Sequence, residues 1–460
     1  MASTLTKQSQ ILIVGGGTWG CSTALHLARR GYTNVTVLDV NHIPSPISAG
    51  HDVNKLAGGL GKTLYHTALK PFTNRAGTSD SKGDDEDSIW KALTYAAAQG
   101  WLHDPVFQPF CHNTGAVMAG STPKSIKQLV EDEIGDDIDQ YTPLNTAEDF
   151  RKTMPEGILT GDFPGWKGFY KPRGSGWVHA RKAMKAAFEE SQRLGVKFIT
   201  GSPEGKVESL VFEAGDVKGA KTADGKEHRA DRTILSAGAS AEFFLDFENQ
   251  IRPTAWTLGH IQMTPEETKL YKNLPPLFNI NQGFFMEPDE DLHQLKMCDE
   301  HPGYCNWVDK PGSKYPQSIP FAKNQVPIEA ERRLKQFLKD IMPQLADRPL
   351  VHARICWCAD TQDRMFLITY HPRHPSLVIA SGDCGTGYKH ITSIGKFVSD
   401  CMEGTLEERF AKFWRWRPEK FIEFWGKDPL DRFGADDKIM DLPKSDVGGW
   451  TNIKNDSRLF

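Results

Sequence analysis

The chain has 460 residues, which is too many for one compact core, so its length predicts two or three domains. Hydrophobic residues make up 39% and charged residues 25%, which is typical of a globular protein, and the formal net charge of −4 argues against a nucleic-acid-binding surface. No stretch of 18 apolar residues occurs in the sequence, so no transmembrane helix is predicted.

The amino-terminal run QILIVGGGTWGCSTALHLARRGYTNVTVLDV predicts a strand, a helix and a second strand. Gln10–Val14 is a short apolar run, as in a buried parallel strand, and apolar residues then recur at helical spacing. Gly15, Gly17 and Gly20 form the pattern G-x-G-x-x-G, and the second strand ends in Asp39. This combination of elements is typical of a dinucleotide-binding βαβ unit.

Each part of this motif has a physical role in holding a dinucleotide. Gly15 permits the tight turn, Gly17 lets the backbone approach a pyrophosphate, and Gly20 allows close packing of helix and strand. The amino end of the helix offers N–H groups to the phosphates, and Asp39 can accept hydrogen bonds from ribose hydroxyls. The motif does not distinguish NAD from FAD, and its alternative is a tight turn without a ligand.

The segment from Leu56 to Asp87 is rich in Gly, Ser, Thr and Asp, and predicts a mobile surface loop. Its sequence GGLGKT resembles part of a phosphate-binding P-loop. The first glycine of that motif would fall on Leu56, and no apolar strand precedes it, so we reject this interpretation. An amphipathic helix is predicted to follow, from Ser88 to His103.

The middle of the chain predicts a helix at His179–Gly195, a strand at VKFIT, and a β-meander that ends in an apolar strand before Ala237 and Gly238. A region of strands with one helix, Pro327–Met342, follows. The strand Leu377–Ser381 then leads into three closely spaced glycines and a helix from about residue 390. This pattern indicates a second βα turn that can hold a flavin ring.

These elements predict a mixed α/β (α+β) fold, with a Rossmann-like cofactor-binding domain of the glutathione-reductase type and a second domain rich in β-sheet. The cofactor-binding domain is expected to be discontinuous, with three pieces at 1–57, 160–242 and 349–405. The substrate domain is expected at 58–159 and 243–348. Residues 406–460 are expected to form a helical tail near the active site.

The stretch HARICWCADTQDRMFLI contains Cys356 and Cys358 on either side of a tryptophan. A zinc site needs four ligands and no second pair stands at a suitable spacing, so Cys-x-Cys alone does not predict zinc. We also reject a metal site at Cys298, His301 and Cys305, and predict no metal. From the residues alone, two buried thiols are the leading interpretation.

The eight cysteines are scattered, and the sequence MASTLTKQSQILIV lacks the apolar segment of a signal peptide. We therefore expect reduced thiols in an intracellular, cytoplasmic protein. The end of the chain, SRLF, resembles a peroxisomal tag that Phe460 displaces from the terminus, which leaves the peroxisome as an alternative. We expect a monomer without a nucleic-acid or membrane partner.

Five motifs resemble those of the fungal amadoriases, or fructosyl amino acid oxidases, within the wider sarcosine oxidase group of FAD enzymes. They are IVGGGTWGCSTALHLARRGYTNVTVLD, ISAGHDVNK, DEHPGY, RICWCADT and GTGYKH, and the similarity covers nearly the whole chain. The resemblance implies a two-domain flavoprotein that oxidises the C–N bond of fructosyl amino acids and passes the electrons to O₂, giving H₂O₂. The imine product would hydrolyse to glucosone and a free amino acid.

The resemblance implies FAD as cofactor, attached by an 8α-thioether to Cys356 rather than Cys358. It also places Lys55, in DVNK, near flavin N5 with a role in oxygen activation, where negative charge develops. From the residues alone, Lys55 would be a surface lysine. The positions expected to contact FAD are Val14, Gly15, Gly17, Thr18, Trp19, Asp39, Ser48, His51, Lys55, Val207, Ala237, Gly238, Cys356, Asp383, Gly385, Gly387, Tyr388 and Lys389.

The resemblance also implies how the substrate is bound. Its carboxylate would contact Arg432, in DPLDRFG, and Lys389, in GTGYKH. Glu300, in CDEHPG, would pair with that arginine and gate the site. From the residues alone, Glu300 and Arg432 are equally a solvated charge pair of little energetic value.

Two features of the sequence leave the identity of the substrate undecided. The stretch from Gly58 to about Ser81 is longer than the family pattern and predicts an altered or inserted lid. Trp256, Phe284 and Phe285 either line a sugar pocket or, as is more common for aromatic residues, belong to the core. The alternatives to amadoriase activity are an oxidase of N-methyl or cyclic amino acids, an NAD dehydrogenase, and a non-catalytic flavin-binding module.

Overall fold

The computed structural model describes residues 5–60, 83–300, 303–311, 313–421, 439–443, 447–456 and 458. No helix in this part of the chain is both long and apolar enough to cross a membrane. Its α-helices are Thr18–Arg29, Gly83–His103, Pro123–Gln128, Ala147–Arg151, Ala180–Arg193, Pro265–Leu270, Ile328–Ile341, Pro343–Ala346, Ile394–Glu403 and Glu408–Trp414.

A six-stranded sheet forms the centre of the first half of the fold. Ile11–Val14 lies in its interior and is buried along its whole length, as an apolar run in a central parallel strand must be. Every neighbouring pair is parallel except the pair at one edge. Its strands, in spatial order, are Leu367–His371, His374–Ser381, Arg232–Leu235, Ile11–Val14, Val35–Asp39 and Lys197–Thr200.

The two faces of this sheet are covered by different elements. Ile13 packs in one hydrophobic cluster with residues of the helices Thr18–Arg29 and Ile394–Glu403. Its neighbour Val14 points the other way and packs with residues of an antiparallel meander. The strands of the meander are Val207–Glu213, Asp216–Thr222 and Glu227–Arg229.

A ten-stranded sheet, called the large sheet below, forms the second half of the fold. Its two longest strands, Ile251–Gln262 and Leu350–Thr361, pair antiparallel over almost their full length. The helix Ile328–Ile341 covers one face, where a Cβ on Gly259 would lie 3.0–3.2 Å from side chains of Leu350 and Leu334. The other strands are Ala116–Gly120, Thr142–Leu144, Lys167–Lys171, Leu277–Asn279, Gly283–Phe285, Gln294–Asp299, Tyr304–Cys305 and Met440–Asp441.

Two smaller antiparallel sheets complete the described part of the fold. One joins Asn54–Ala57, Gly176–His179 and Cys111–His112, and the other joins Trp307–Val308 to Gln317–Ser318. The first is tied to the segment beside the large sheet, because Nδ2 of Asn54 donates to the carbonyl oxygen of Glu287 at 2.8 Å. Lys55 therefore lies on a strand held next to the large sheet.

The predicted fold class is confirmed, because a parallel sheet with flanking helices and a meander stands beside a second, larger sheet. The helices predicted at Ser88–His103 and Pro327–Met342 are present as Gly83–His103 and Ile328–Ile341. The helix predicted from about residue 390 begins at Ile394, because a short 3₁₀ turn precedes it.

The domain boundaries stay a prediction, and sheet membership crosses them at several points. Leu350–Thr361 and Lys167–Lys171, both assigned to the cofactor-binding domain, belong to the large sheet. In the expected helical tail, the described residues contain the α-helix Glu408–Trp414 and the strand Met440–Asp441, which extends the large sheet. Local sequence predicts a strand but does not encode which sheet the strand joins.

Candidate active site

The glycine turn after Ile11–Val14 has the shape that a phosphate-binding βα turn requires. Gly15 has φ of +102°, and a Cβ there would lie 2.6 Å from the carbonyl oxygen of Ser236. A Cβ on Gly20 would lie 1.9 Å from the carbonyl oxygen of Gly15, so the helix packs directly on the turn. A Cβ on Gly17 would meet no described atom within 4 Å, which leaves the amino end of the helix open.

The end of the strand Arg232–Leu235 lies against this turn. Ser236 donates from Oγ to the carbonyl oxygen of Gly15 at 2.9 Å and from its backbone N–H to that of Val14 at 2.9 Å. Ala237 follows within van der Waals reach of Gly15, and Gly238 has φ of +56°. Four positions that are expected to contact the cofactor thus lie together in the structure: Val14, Gly15, Ala237 and Gly238.

Asp39 closes the same site at the end of its strand. Its Oδ2 accepts from the backbone N–H of Gly16 at 2.8 Å, and its Oδ1 accepts from that of Asn41 at 2.9 Å. Burial raises the pKa of Asp39, while the two hydrogen bonds oppose this shift. Val207 packs in the hydrophobic cluster that contains Leu38, so it too lies at this edge of the sheet.

The second predicted βα turn lies against the first one. Nε1 of Trp19 donates to the carbonyl oxygen of Gly387 at 3.3 Å. Asp383 accepts at Oδ1 from the backbone N–H of Ala359 at 2.7 Å, and Gly385 has φ of +70°. The hydrogen bond between Trp19 and Gly387 holds the two turns next to each other.

The turn that contains Ser48 and His51 packs on both βα turns. A Cβ on Gly50 would lie 3.0 Å from Oγ1 of Thr18 and 3.5 Å from the ring of Tyr388. Oγ of Ser48 donates within the turn, to the carbonyl oxygen at position 45, at 2.9 Å. His51 is buried, and this burial, with nearby arginine charges, lowers its pKa to about 3.

Immediately after this turn, a buried carboxylate binds three cations; we call Asp52, Lys55, Lys296 and Arg354 the Asp52 cluster. Oδ2 of Asp52 accepts from Nζ of Lys55 and, at 2.9 Å, from Nζ of Lys296. Oδ1 accepts from Nη2 of Arg354 at 3.1 Å. The side chains of Asp52 and Lys296 are 1% exposed and that of Lys55 is 22% exposed.

The charges of the Asp52 cluster stabilise one another. Burial disfavours the charged form of each member, but Lys296, Lys55 and Arg354 together hold the pKa of Asp52 well below its usual value. In the same way, the Asp52 carboxylate outweighs burial and raises the pKa of Lys55. At neutral pH the Asp52 carboxylate and the Lys55 ammonium group are therefore ionised.

The strand register shows which side chains share a face of the large sheet. Leu258 pairs with Arg354 on one side and with Cys298 on the other, and Trp256 pairs with Cys356. Because alternate side chains of a strand point the same way, Arg354, Cys356 and Cys298 lie on one face. Cys356 and Cys298 also lie within electrostatic range of Lys55, so this face carries the Asp52 cluster.

Cys356 and Cys358 are both buried and both point to this face, two residues apart. Cys356 is the nearer of the two to Arg354, because one strand repeat of about 6.6 Å separates alternate residues. Cys358 lies one repeat further along the strand, opposite Thr254. The structure thus gives the two thiols different surroundings that the Cys-x-Cys pattern alone did not reveal.

The residues expected to bind substrate are only partly described. Glu300 directly follows the strand Gln294–Asp299, which carries Cys298. It donates from its backbone N–H to the carbonyl oxygen of Gln282 at 3.3 Å and lies within electrostatic range of Cys298. Lys389 lies on the turn Gly387–His390, which contacts the strand of Lys55. Arg432 lies outside the described residues, as do residues 61–81 of the expected lid.

The three aromatic residues divide between core and site. Phe285 is fully buried in the main hydrophobic cluster of the large sheet. Phe284 pairs with Cys298, and Nζ of Lys296 lies 5.5 Å from its ring centroid, so it shares the face of the Asp52 cluster. Trp256 shares this face as well, opposite Cys356.

The sequence analysis missed Lys296 and Arg354 as site residues. Both occupy buried positions of buried strands, in QLKMC and HARIC. A charged residue at an inward position of a buried strand needs a partner or a ligand, and that signal was available. The partner itself, Asp52, is more than 240 positions away in the chain.

The residues present fit FAD on observations of this chain alone. The open space at Gly17, at the amino end of a helix, suits a pyrophosphate, and the carboxylate of Asp39 suits a ribose. Nη1 of Arg354 is buried and has no hydrogen-bond partner among the described residues. Such a donor is available to a polar ligand on the face that carries Cys356.

Comparison with known proteins gives the same result. Residues 10–401 match the model of the FAD dependent oxidoreductase family. The chain is 52% identical to Amadoriase I, a fructosyl amine:oxygen oxidoreductase from Aspergillus fumigatus, covering 99% of this chain and 100% of that one, with a TM-score of 0.90. The fructosamine oxidase Amadoriase II of the same organism, in complex with FSA, is 49% identical with a TM-score of 0.91 and coverage of 99% and 100%.

A more distant relative has a different named substrate. The L-saccharopine oxidase of Schizosaccharomyces pombe is 26% identical over 434 residues, which cover 89% of this chain and 93% of that protein. The family model spans most of the chain, and the two amadoriases align with nearly all of it. The chain therefore belongs to the FAD dependent oxidoreductase family, it binds FAD, and its resemblance to the amadoriases is confirmed.

Proposed function

We propose that this chain is an FAD-dependent oxidase that deglycates fructosyl amino acids, with O₂ as electron acceptor and H₂O₂, glucosone and the free amino acid as products. The observation that carries this proposal is the 52% identity to Amadoriase I over 99% of the chain. The site supports it, because a buried cationic cluster and a cysteine share one face of the large sheet beside the nucleotide-binding turns.

The reaction balances with water as the further reactant. FAD, when bound, supplies the acceptor for a hydride equivalent from the carbon beside the amine nitrogen, and delivers the electron pair to O₂. The protein supplies orientation, exclusion of water and charge. Buried side chains at the Asp52 cluster exclude bulk water, so that each of its charges acts with less screening than at the surface.

We propose that Sγ of Cys356 carries the flavin through an 8α-thioether. The family resemblance supports Cys356, and its position near Lys55 and Arg354 on the sheet face agrees with this choice. A covalent link prevents loss of the cofactor, whereas Cys358 is expected to remain a buried thiol. The same geometry supports contacts to FAD from the two glycine turns and from Asp39.

We propose that Lys55 acts in the reaction with O₂. Its Nζ holds a proton in a half-buried site, and a fixed positive charge stabilises the negative charge that develops as O₂ is reduced. Lys296 carries a second ammonium group on the same carboxylate, so a test of Lys55 must compare the two lysines.

For the substrate, we propose that Lys389 and Arg432 bind the carboxylate and that Glu300 gates the site. The adjacency of the Lys389 turn to the strand of Lys55 supports this assignment. A monomeric state and an intracellular, cytoplasmic location remain our expectations. Gel filtration with light scattering tests the first, and microscopy of a tagged chain with its native carboxyl terminus tests the second.

The deciding experiment is a substrate panel on the purified yellow protein. Fructosyl-valine and fructosyl-lysine are compared with sarcosine, pipecolate and saccharopine, with peroxide formation and anaerobic bleaching of the flavin as readouts. We expect peroxide and bleaching with the fructosyl compounds. Turnover of sarcosine, pipecolate or saccharopine alone would establish another amine oxidase, and colour without bleaching by any compound would establish a flavin-binding protein without this activity.

A further inference from the structure

The arrangement of the Asp52 cluster points to a function for its single anion. The carboxylate of Asp52 is 1% exposed and accepts from three cationic side chains that come from three separate parts of the chain. Lys55 follows on the neighbouring strand, Lys296 lies on Gln294–Asp299, and Arg354 lies on Leu350–Thr361. One negative charge thus stands among three positive charges, which leaves a formal charge of +2.

Three cations at such short range repel one another, so they stay together only while the carboxylate is present. Lys296 is further restrained, because its Nζ also donates to the carbonyl oxygen of Asn54 at 2.9 Å. Arg354 is held within the interior at 3% exposure. Lys55 is the most exposed of the three cations, and its ammonium group forms an ion pair with Asp52. Loss of the carboxylate would therefore release Lys55 first.

We propose that Asp52 is a positioning residue, whose carboxylate fixes Nζ of Lys55 on the face of the large sheet that carries Cys356. This inference rests on the proposed function, in which Lys55 acts during the reaction with O₂. Asp52 does not itself touch the reacting atoms. It acts through Lys55, by setting where the ammonium group lies and by keeping the proton on Nζ.

The other titratable groups that face the cluster do not supply the same charge. Burial lowers the pKa values of His51, His260 and His352 and raises those of Cys298 and Tyr388, so all five are neutral at pH 7. Further charges near these groups include those of Arg181, near His51, of Glu300, near Cys298, and of Asp456, near His352. Asp52 is therefore the anion in direct contact with Lys55.

The test compares the purified wild-type holoprotein with Asp52→Asn, which keeps the shape of the side chain but removes its charge. Competitive acetylation with acetic anhydride, read by peptide mass spectrometry, gives the pH at which half of Lys55 is reactive. We expect this midpoint to fall by at least one pH unit in Asp52→Asn, because the amine loses the carboxylate that favours its proton. An unchanged midpoint in folded protein would overturn the proposal.

A second readout follows the flavin directly and needs no sugar substrate. Protein reduced with dithionite is mixed with O₂, and reoxidation is followed by absorbance from pH 6 to pH 10. We expect Asp52→Asn to slow reoxidation by about tenfold at pH 8, and more at higher pH as Lys55 loses its proton. Reoxidation at the wild-type rate across this range would also overturn the proposal. If the wild type oxidises no fructosyl compound, the proposed function fails, while these two readouts still test Asp52.

Two further variants separate positioning from folding. Asp299→Asn is the matched control, because Asp299 is a buried carboxylate on the same sheet. Its Oδ2 lies 2.8 Å from Nη2 of Arg333, on the opposite face of the sheet from the Asp52 cluster. This variant is expected to lower stability without moving the Lys55 midpoint. Asp52→Glu keeps the charge but displaces it by one methylene, and is expected to give intermediate reoxidation rates. Should Asp52→Asn fail to fold, a rate and midpoint of Asp52→Glu identical to the wild type would overturn the proposal.

Discussion

Cys356 lies directly opposite Trp256 in the antiparallel pairing of Leu350–Thr361 with Ile251–Gln262. Two residues earlier, Arg354 points to the same face and donates to Asp52 at 3.1 Å, and Asp52 in turn pairs with Lys55. A cysteine, an indole and an ammonium group from three strands thus meet on one surface. This relationship is the structural basis of the first two predictions.

The first prediction concerns the flavin link. Cys356→Ala should release the flavin, so that acid-precipitated protein gives a colourless pellet and a yellow supernatant. The wild type and the matched variant Cys358→Ala should both give a yellow pellet, because the proposed tether does not use Cys358. A colourless wild-type pellet would remove the tether, and release by Cys358→Ala alone would move it to the other thiol.

The second prediction concerns Lys55. Lys55→Met should slow reoxidation of the flavin by O₂ at least tenfold and should slow anaerobic reduction by substrate much less. The reason is that a positive charge near the site of O₂ reduction acts only during reoxidation. Because Asp52 raises the pKa of Lys55, the wild-type contribution should stay constant from pH 6 to pH 10. Stopped-flow absorbance measures both steps, with the exposed Lys185→Met as control.

The comparison with Lys296 sharpens this test. Lys296→Met should cost about 3–5 kcal/mol of unfolding free energy, because it removes one partner of a buried ion pair. A larger effect of Lys296→Met than of Lys55→Met on reoxidation alone would assign the oxygen role to Lys296. Equal slowing of both steps in Lys55→Met would mean that Lys55 has no specific role with O₂.

The third prediction separates two glycines of the same motif. Gly20→Ala would place Cβ 1.9 Å from the carbonyl oxygen of Gly15, so the turn must open and the variant should lose stability as well as flavin. Gly17→Ala meets no described atom within 4 Å and should fold, yet the methyl group would occupy space proposed for the pyrophosphate. The measurement is flavin content per folded protein together with urea unfolding; full flavin content in Gly17→Ala would contradict the assignment.

The fourth prediction concerns stability at acidic pH. Burial, followed by the charge of Arg354, lowers the pKa of His352 to about 4, whereas an unfolded histidine titrates near 6.5. Between these values the unfolded state binds more protons, so the contribution of neutral His352 is full above about pH 6.5 and is lost as the pH falls to about 4. His51 and His26 add to the same trend.

Urea unfolding at pH 7.5 and pH 4.5 measures this dependence. His352→Gln should reduce the loss of unfolding free energy between the two pH values by on the order of 1–3 kcal/mol. His103→Gln, at an exposed position, is the control and should leave the difference unchanged. A His352→Gln protein with the same pH dependence as the wild type would show that this imidazole is not held neutral.

The nucleotide-binding turns were predictable because their determinants are local. An apolar run, three glycines and a helix stand within a single βαβ unit, and a close neighbour in the turn or in an adjoining strand requires glycine at Gly15 and Gly20. The second turn, with Gly385 and Gly387, followed the same logic. The order of strands along the chain predicts that separate segments return to one cofactor-binding sheet, and the parallel pairing of Ile11–Val14 with Arg232–Leu235 agrees with this prediction.

The Asp52 cluster was only half predictable. Lys55 came from the family resemblance, and Asp52 stood beside it in the same motif, but Lys296 and Arg354 lie on strands far away in the chain. The sequence shows a charged residue inside each of these buried strands but does not show which residue pairs with it. For the same reason the sequence does not show which sheet Leu350–Thr361 joins, because its pairing with Ile251–Gln262 is a contact across about a hundred residues.

The sequence by itself determined the cofactor-binding turns, the fold class and the family, because glycine spacing and apolar periodicity are written over short stretches of chain. Only the tertiary structure decided that one buried carboxylate holds three cations on the face that carries Cys356. Such a charge cluster forms where separate strands meet, and its stability comes from burial and short-range attraction, which exist only once the chain has folded.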